Sequence, residues 1–378
     1  MQCPRCHNQD ARYFYNLNSE LYCRKCISFH RVFVNQLRLT KSLEFPKNHY
    51  IYSLDFNLSF EQATLSHRLV ENYQHHQDSL VWAVCGSGKT EIIFELIQYA
   101  LSIGQRICFC IPRKELVVEL YQRINESFRD VDIGLLYGGC CQNPNAQFVI
   151  CTMHQLYRFE NNDGFNLMIA DEVDAFPFYQ NEVLNEIFNR CCLGNFVKLS
   201  ATFSEKDIKQ EQLLIMSRRY HGYDLPVPLV KKSPTCIHLW YLLYLIRKLN
   251  KKTLVYVPTR SDVTYLSHYL SKHHFRVGGV SSTTKDNQTI INALKNGELD
   301  VIVTTTLLER GITIEDVQVI VYHADHILFD ERTLVQISGR VGRKPNHPTG
   351  YIYFLASSKT KGMKDCIKTI RKLNAMNV

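Results

Sequence analysis

The chain has no apolar run long enough to span a bilayer, and no signal-peptide pattern follows Met1-Gln2-Cys3-Pro4. The expectation is a soluble cytosolic protein with no membrane anchor of its own. It also lacks internal repeats and low-complexity tracts. Neither sign of charge dominates: 44 Lys and Arg stand against 36 Asp and Glu, for a net charge of +8. This mild basicity suits phosphate-rich partners without demanding nucleic acid. What remains is an ordinary globular composition, 45% hydrophobic and 21% charged over 378 residues, enough for two or three domains. Cysteine is plentiful, at 14. Cys108, Cys110 and Cys151 lie in apolar runs and read as small core residues of a reducing compartment.

Three regions follow from the pattern. Residues 1 to about 45 are cysteine-rich with interspersed basic and aromatic residues. Residues from about 50 to 215 alternate strand and helix, with strand candidates at 80–84, 107–111, 148–152, 167–170 and 196–199. Residues from about 235 to 378 alternate again, with candidates at 253–257, 276–280, 300–304, 317–322 and 350–355. Short β-branched runs separated by helical patterns predict an α/β protein with parallel sheets. The turn and breaker residues of Gly222-Tyr223-Asp224-Leu225-Pro226-Val227-Pro228 mark the join. The expected domains are therefore 1–48, 49–222 and 223–378.

The segment Ala83-Val84-Cys85-Gly86-Ser87-Gly88-Lys89-Thr90 carries the clearest chemistry. A glycine turn ending in Gly-Lys-Thr presents backbone N–H groups to phosphates. The lysine reaches the terminal phosphates and the threonine hydroxyl sits on Mg²⁺. A strand-like run precedes it, and Ile92, Ile93, Leu96, Ile97 and Ala100 follow at helical spacing. The strict pattern opens with Gly, where this chain has Ala83.

Further on, the strand candidate ending at Ala170 runs into Asp171-Glu172-Val173-Asp174. Ligands bind at the C-terminal ends of parallel strands. Asp171 is expected to hold Mg²⁺ through water, and Glu172 to orient or deprotonate the attacking water. The strand candidate at 196–199 leads into Ser200-Ala201-Thr202. Near the C-terminus comes Gln336-Ile337-Ser338-Gly339-Arg340-Val341-Gly342-Arg343. Arg340 and Arg343, expected on one helical turn, suit a γ-phosphate because guanidinium forks to two oxygens and stays charged. Arginine fingers contribute about 10³–10⁵ in rate to other nucleotide hydrolases.

At the N-terminus, Cys3-x2-Cys6 and Cys23-x2-Cys26 have the spacing of a four-cysteine zinc ribbon. Disulfides are disfavoured in a cytosolic chain, and His7 is not counted as a ligand. So short a module has little core, so Zn²⁺ would supply much of its folding energy. Arg5, Arg12, Arg24, Lys25, Arg31 and Arg38 read equally as DNA contacts or as a solvated basic face.

The order of these motifs resembles superfamily 2 helicases and translocases over residues 50–355. The resemblance implies two tandem RecA-like lobes with ATP and Mg²⁺ between them, the nucleotide held by Gln62 and residues 83–90 with Asp171. Gln62, in Leu58-Ser59-Phe60-Glu61-Gln62, matches the adenine-reading segment. Pro112-Arg113 and Cys151-Thr152-Met153-His154-Gln155 are similar to nucleic-acid contact motifs, and Leu254–Thr259 to the opening motif of the second lobe. Thr304–Thr313 resembles the motif joining ATP cleft to strand groove. Arg113, Thr152 and Thr305 are thus the implied backbone contacts, and Ser200, Thr202 and Gln336 the implied coupling residues.

The four-cysteine N-terminus, Asp171–Phe178 and Leu308–Thr313 narrow the resemblance to the ComFA family of late competence proteins, relatives of the replication-restart helicase PriA. The resemblance implies a single-stranded DNA translocase at the cytoplasmic face of the DNA-uptake machine, with ComFC and the uptake channel as partners. Two alternatives stand beside it. One is another superfamily 2 DNA or RNA helicase, of replication-restart or DEAD-box type. The other is a non-hydrolysing zinc-containing DNA adaptor, against which Glu172 and the paired arginines argue.

Overall fold

The computed structural model describes residues 1–35, 41–160, 163–203, 212–281, 284, 286–305 and 314–376. The chain forms two compact units, Met1–Trp82 with Gly88–Ile215, and Ala83–Ser87 with Met216–Val378.

In the first unit, β1 (Phe14–Leu17) and β2 (Glu20–Cys23) form a hairpin. Its two-residue turn puts Asn18 and Ser19 at φ 51° and 67°, the positive-φ pair that matches strand twist. There follow β3 (Lys41–Ser42), α1 (Phe60–Gln74), β4 (Ser79–Ala83), α2 (Phe94–Ser102), β5 (Ile107–Ile111), α3 (Lys114–Ser127), β6 (Ile133–Tyr137), β7 (Cys140–Gln142), β8 (Phe148–Thr152), β9 (Asp163–Ala170), α4 (Glu182–Cys191), β10 (Cys192–Ser200) and β11 (Gln212–Met216). The sheet order is β11-β4-β10-β9-β5-β8-β6-β7, with β3 paired to β9. From β4 to β6 neighbouring strands are parallel, and only β7 runs back.

Every residue of β4, β5 and β8 is buried. Helices cover both faces of such a sheet, so its strands read as continuous apolar runs without alternation. Each fully buried Phe109 or Ile150 contributes about 1.5–3 kcal/mol.

The second unit contains β12 (Leu229–Lys232), α5 (His238–Leu249), β13 (Thr253–Tyr256), α6 (Arg260–Lys272), β14 (Val277–Val280), α7 (Asn287–Lys295), β15 (Val301–Thr304), β16 (Gln318–Val321), α8 (Glu331–Ser338), β17 (Ile352–Ala356) and α9 (Lys361–Ala375). Its six strands are ordered β12-β17-β16-β13-β15-β14, and all pairs are parallel. The segment before β12 is held here. Leu225 N–H donates to Asn374 Oδ1 at 2.9 Å, and Asn374 Nδ2 returns the bond to Leu225 O at 2.9 Å.

The two parallel-sheet α/β bodies match the expected fold class, and each of the ten expected strands is present. β9 and β10 begin earlier than expected. The edge strands β7, β11 and β12, the inner strand β6 and the short β1–β3 were not anticipated. Edge strands are short and only half paired, so their apolar signal is weak; β12 ends in two lysines, a common guard of an open edge.

Candidate functional site

Because β4, β10, β9, β5 and β8 run parallel, their C-terminal ends share one edge of the first sheet. The sequence-predicted residues leave from that edge. Ala83 ends β4 and residues 84–90 follow it, Ser200 ends β10 with Ala201 and Thr202 after it, Asp171–Asp174 follow β9, Arg113 follows β5, and Thr152 ends β8.

The glycines of the phosphate loop are needed for their conformation. Gly86 and Gly88 have φ of +82° and +81°, which other residues adopt at a cost. A Cβ on Gly88 would also come within 2.3 Å of Gln62 Nε2. Gln62, 3% exposed, is fixed there by a capping box. Ser59 N–H donates to Gln62 Oε1 at 2.9 Å, and Gln62 N–H to Ser59 Oγ at 3.3 Å. This turns the Gln62 amide nitrogen toward the loop. Ala83 closes β4 fully buried and is absent from the positive-φ residues, so the missing glycine costs no backbone freedom. The following helix departs from expectation in its first turn: Glu91–Ile93 is a 3₁₀ turn, and α2 begins at Phe94.

At the end of β9, Asp171 N–H donates to Cys110 O at 3.1 Å, and Glu172 N–H donates to Asp171 Oδ1 at 2.7 Å. Burial pushes the Asp171 carboxyl up to about 6. The nearby Lys89 charge pulls the other way, and the Glu172 carboxylate pushes it further up. Glu172 has φ +55°, a left-handed conformation that costs a non-glycine residue about 1–3 kcal/mol. The buried Asp174 accepts a 2.9 Å hydrogen bond at Oδ2 from Thr202 Oγ1. Ser200 Oγ donates to Thr202 O at 2.6 Å, and Trp82 Nε1 donates to Ala201 O at 2.9 Å. The Ser-Ala-Thr turn is therefore wired to the acidic turn and to the strand bearing the phosphate loop.

The second unit includes residues 83–87. There Cys85 Sγ donates to Gln336 Oε1 at 3.0 Å. Arg219, 2% exposed, went unnoticed in the sequence. Its guanidinium donates to Cys85 O at 3.1 Å, Gly339 O at 3.1 Å and Val341 O at 2.6 Å, and also to Gly342 O. Burial lowers its pKa to about 10, still charged at neutral pH. An arginine in an irregular segment, bonded to backbone carbonyls, leaves no motif to find.

The helical turn expected for Arg340 and Arg343 is not formed. α8 stops at Ser338, and Gly342 reverses the chain at φ +73°. Arg340 is 3% exposed, while Arg343 Nε donates to Gly339 O at 2.9 Å. Thr305 follows β15 directly, whereas Leu308–Thr313 lie outside the described residues. Thr259 caps α6 through a capping box with Asp262.

Cys3, Cys6, Cys23 and Cys26 converge: their sulfurs all lie within 4.8 Å of one another. Cys3–Cys26 and Cys6–Cys23 are each 3.8 Å apart. Tetrahedral zinc with Zn–S of about 2.3 Å sets sulfurs about 3.8 Å apart, so these residues fit the ion. Three of the cysteines are buried, with Phe29 and Val32, in one core with residues of β8, β9 and α4. Arg5 does not face DNA. It is 3% exposed, pairs with buried Glu160, and donates to His30 O at 2.9 Å. Lys25 pairs with Glu182 at 3.2 Å, Arg12 pairs with Asp10 at 2.6 Å, and Arg31 lies over the Tyr22 ring. Arg38 lies outside the described residues. His154 stacks on Phe29 at 5.7 Å, and burial lowers its pKa.

Two RecA-type lobes, with a phosphate loop and an Asp-Glu-Val-Asp turn at the strand ends of the first sheet, define a superfamily 2 helicase-type ATPase. Comparison with known families agrees. Residues 55–205 match the family described as type III restriction enzyme, res subunit, and residues 237–345 match the helicase conserved C-terminal domain. Yeast (S. cerevisiae) Dbp5, solved bound to RNA and ADP BeF3, shares the fold with a TM-score of 0.60 at 17% identity, covering 84% of this chain and 92% of that one. Competence protein ComFA of Bacillus subtilis (strain 168) is 32% identical over 402 residues, covering 99% of this chain and 86% of its own. Competence protein ComFA of Streptococcus pneumoniae (strain ATCC BAA-255 / R6) is 30% identical, covering 98% and 90%.

The chain belongs to the ComFA family. It is an ATP-hydrolysing helicase or translocase that binds nucleic acid, with ATP and Mg²⁺ as the ligands its helicase fold implies. No helix among the described residues is long and apolar enough to cross a membrane.

Proposed function

We propose that this protein is a single-stranded DNA translocase that uses ATP to draw DNA into the cell during natural transformation. The observation that carries the reading is the shared strand edge. It sets Lys89 close enough for its charge to act on Asp171, and it wires Asp174 to Thr202 at 2.9 Å. In this reading Lys89, Thr90 and the backbone N–H groups of 84–88 bind the phosphates, and Gln62 reads the base. Asp171 would hold Mg²⁺, which would supply charge neutralisation at the phosphates. Glu172 takes the proton of the attacking water. Arg340 and Arg343, from the second lobe, stabilise charge on the departing phosphoryl group. Ser200, Thr202 and Gln336 couple these events to the grip on DNA.

Arg113, Thr152 and Thr305 hold the strand by its phosphates, positioning it without reading sequence. Cys3, Cys6, Cys23 and Cys26 hold a structural Zn²⁺. The functional divisions are 1–48, 49–222 and 223–378. ComFC and the uptake channel are the proposed partners, at the inner face of the membrane. The test is ATP hydrolysis measured without nucleic acid, with single-stranded DNA and with RNA. Strong stimulation by DNA is expected; stimulation by RNA alone would refute the DNA assignment. Steep loss of DNA binding with salt should accompany it.

A further inference from the structure

The solvent face of α5 is aromatic. Leu242, Leu245 and Ile246 turn toward the sheet and are buried. Trp240 and Tyr244, one turn apart on the other side, are 64% and 43% exposed. An ordinary surface helix places polar residues there. The two rings are stacked and nearly parallel, 7° apart with centroids at 5.9 Å, and Tyr241 stacks against Tyr244 at 5.8 Å. The next turn supplies Arg247 and Lys248, with Lys248 Nζ 5.8 Å from the Tyr244 ring centre. Trp240, Leu243, Tyr244, Arg247 and Lys248 line an open groove of about 360 Å³. Beyond it, Lys231 lies over Tyr353, which stacks on the exposed Tyr351 at 6.1 Å. The chain has no Asp or Glu between Asp224 and Asp262, nor between Glu331 and Asp365. Every segment building this surface therefore brings only cations.

We propose that this aromatic and basic face is a second binding site for single-stranded nucleic acid. Bases stack on the outer face of Trp240 and on Tyr244, while Arg247, Lys248 and Lys231 take the phosphates. Charge complementarity selects this occupant: a surface of rings and cations without carboxylates matches a strand of bases and phosphates. The site is separate from the one near Thr305. α5 ends at Leu249 and β13 begins at Thr253. The Arg247–Lys248 end of the helix thus lies at the N-terminal edge of the second sheet, while Thr305 follows the C-terminal end of β15. The face would hold a long strand before or after the translocating groove and reduce its slippage.

This inference rests on the single-stranded DNA reading, and the experiment separates the two. The chain has two tryptophans, and Trp82 is buried at 6% exposure, so Trp240 dominates any quenching by a stacked base. Full-length protein is titrated with an oligothymidylate of about 40 nucleotides, longer than a site of about 4–16 nucleotides. Quenching of the wild-type protein is expected. Trp240→Phe should lose the quenching but keep its affinity. Trp240→Ala should weaken binding about 5- to 150-fold, and Lys248→Gln should lower the salt slope by about 0.7. Basal ATP hydrolysis should be unchanged in all three. Saturating binding without quenching, or an unaltered affinity of Trp240→Ala, would overturn the proposal and assign the face to a protein partner. DNA-stimulated hydrolysis in the same wild-type sample tests the parent reading separately.

Discussion

Replacing Asp171 with Asn should stabilise the ligand-free protein while removing its ATPase activity. The carboxyl titrates at about 6 in the folded protein against 3.8 when unperturbed. The difference of about 2.2 units, at about 1.36 kcal/mol each, gives an upper bound of about 3 kcal/mol. The sign follows from linkage. A folded-state pKa raised above its unfolded value means that the folded protein binds the proton more tightly. The associated stability is fully present below about pH 4 and is lost as pH rises through about 6. At pH 7.5 the wild-type protein therefore carries the cost of an ionised, crowded Asp171, and Asp171→Asn does not. Asparagine keeps a carbonyl oxygen for the Glu172 N–H bond, so little else changes.

The assay is urea unfolding of both proteins in EDTA at pH 7.5 and at pH 4.5. The variant should be more stable at pH 7.5 by up to about 3 kcal/mol, and the gap should narrow at pH 4.5. Adding Mg²⁺ and nucleotide should stabilise the wild-type protein more than the variant. A variant that is less stable at pH 7.5, or a gap that ignores pH, would refute the assignment of Asp171 as a destabilised carboxylate poised for a cation.

Three further outcomes are expected. Lys89→Ala should lower DNA-stimulated hydrolysis by about 10²–10³-fold with unchanged circular dichroism; wild-type turnover would remove Lys89 from the site. Gly88→Ala should cost about 1.5–4 kcal/mol, from a left-handed conformation of about 1–2 kcal/mol plus loss of the Gln62 capping box at about 0.5–2 kcal/mol. Gly222→Ala is the control, since its φ is +80° but nothing lies within 4 Å of the added Cβ; equal losses in thermal melts would show that Gln62 does not touch the loop. Cys23→Ser, or chelation, should lower the melting temperature of the whole first unit, because Cys23 shares a core with β8, β9 and α4. Elemental analysis should show one zinc per wild-type chain, and a metal-free protein that melts at the same temperature would refute the site.

The phosphate loop was readable because its glycines have a conformational reason that sequence states directly, and the acidic turn because it follows a buried apolar run. The sheets were readable for the same reason, since strands covered on both faces cannot disguise their hydrophobicity. Long-range pairings were not. Arg5 and Glu160 form an ion pair whose members are far apart in sequence, and neither is unusual alone. The cysteine module, expected to have little core of its own, shares one with β8, β9 and α4 of the first unit. Arg340 and Arg343 misled for a different reason. Their spacing fits a helix, but α8 ends at Ser338 before either of them, and Gly342 reverses the chain between them.

The positions that local rules handle worst have a common character. Glu172 occupies a left-handed conformation that favours glycine. Asp171 is a carboxylate made less acidic by its surroundings. Arg219 is a buried guanidinium that donates to neutral carbonyls rather than to a carboxylate. Each is costly to the folded state, and a more stable substitute is available at each by simple chemistry. Asp171 and Glu172 leave the strand edge that carries Lys89, and Arg219 fixes Cys85 of the phosphate loop beside the Gly339–Gly342 turn. Such costs fit residues kept for a role other than stability, as the proposed function holds for Asp171 and Glu172. In the proposed function, nucleotide with Mg²⁺ should therefore stabilise this protein. There the Mg²⁺ bound with the nucleotide would supply a countercharge to Asp171, and the phosphates the anion for the Gly86–Gly88 turn.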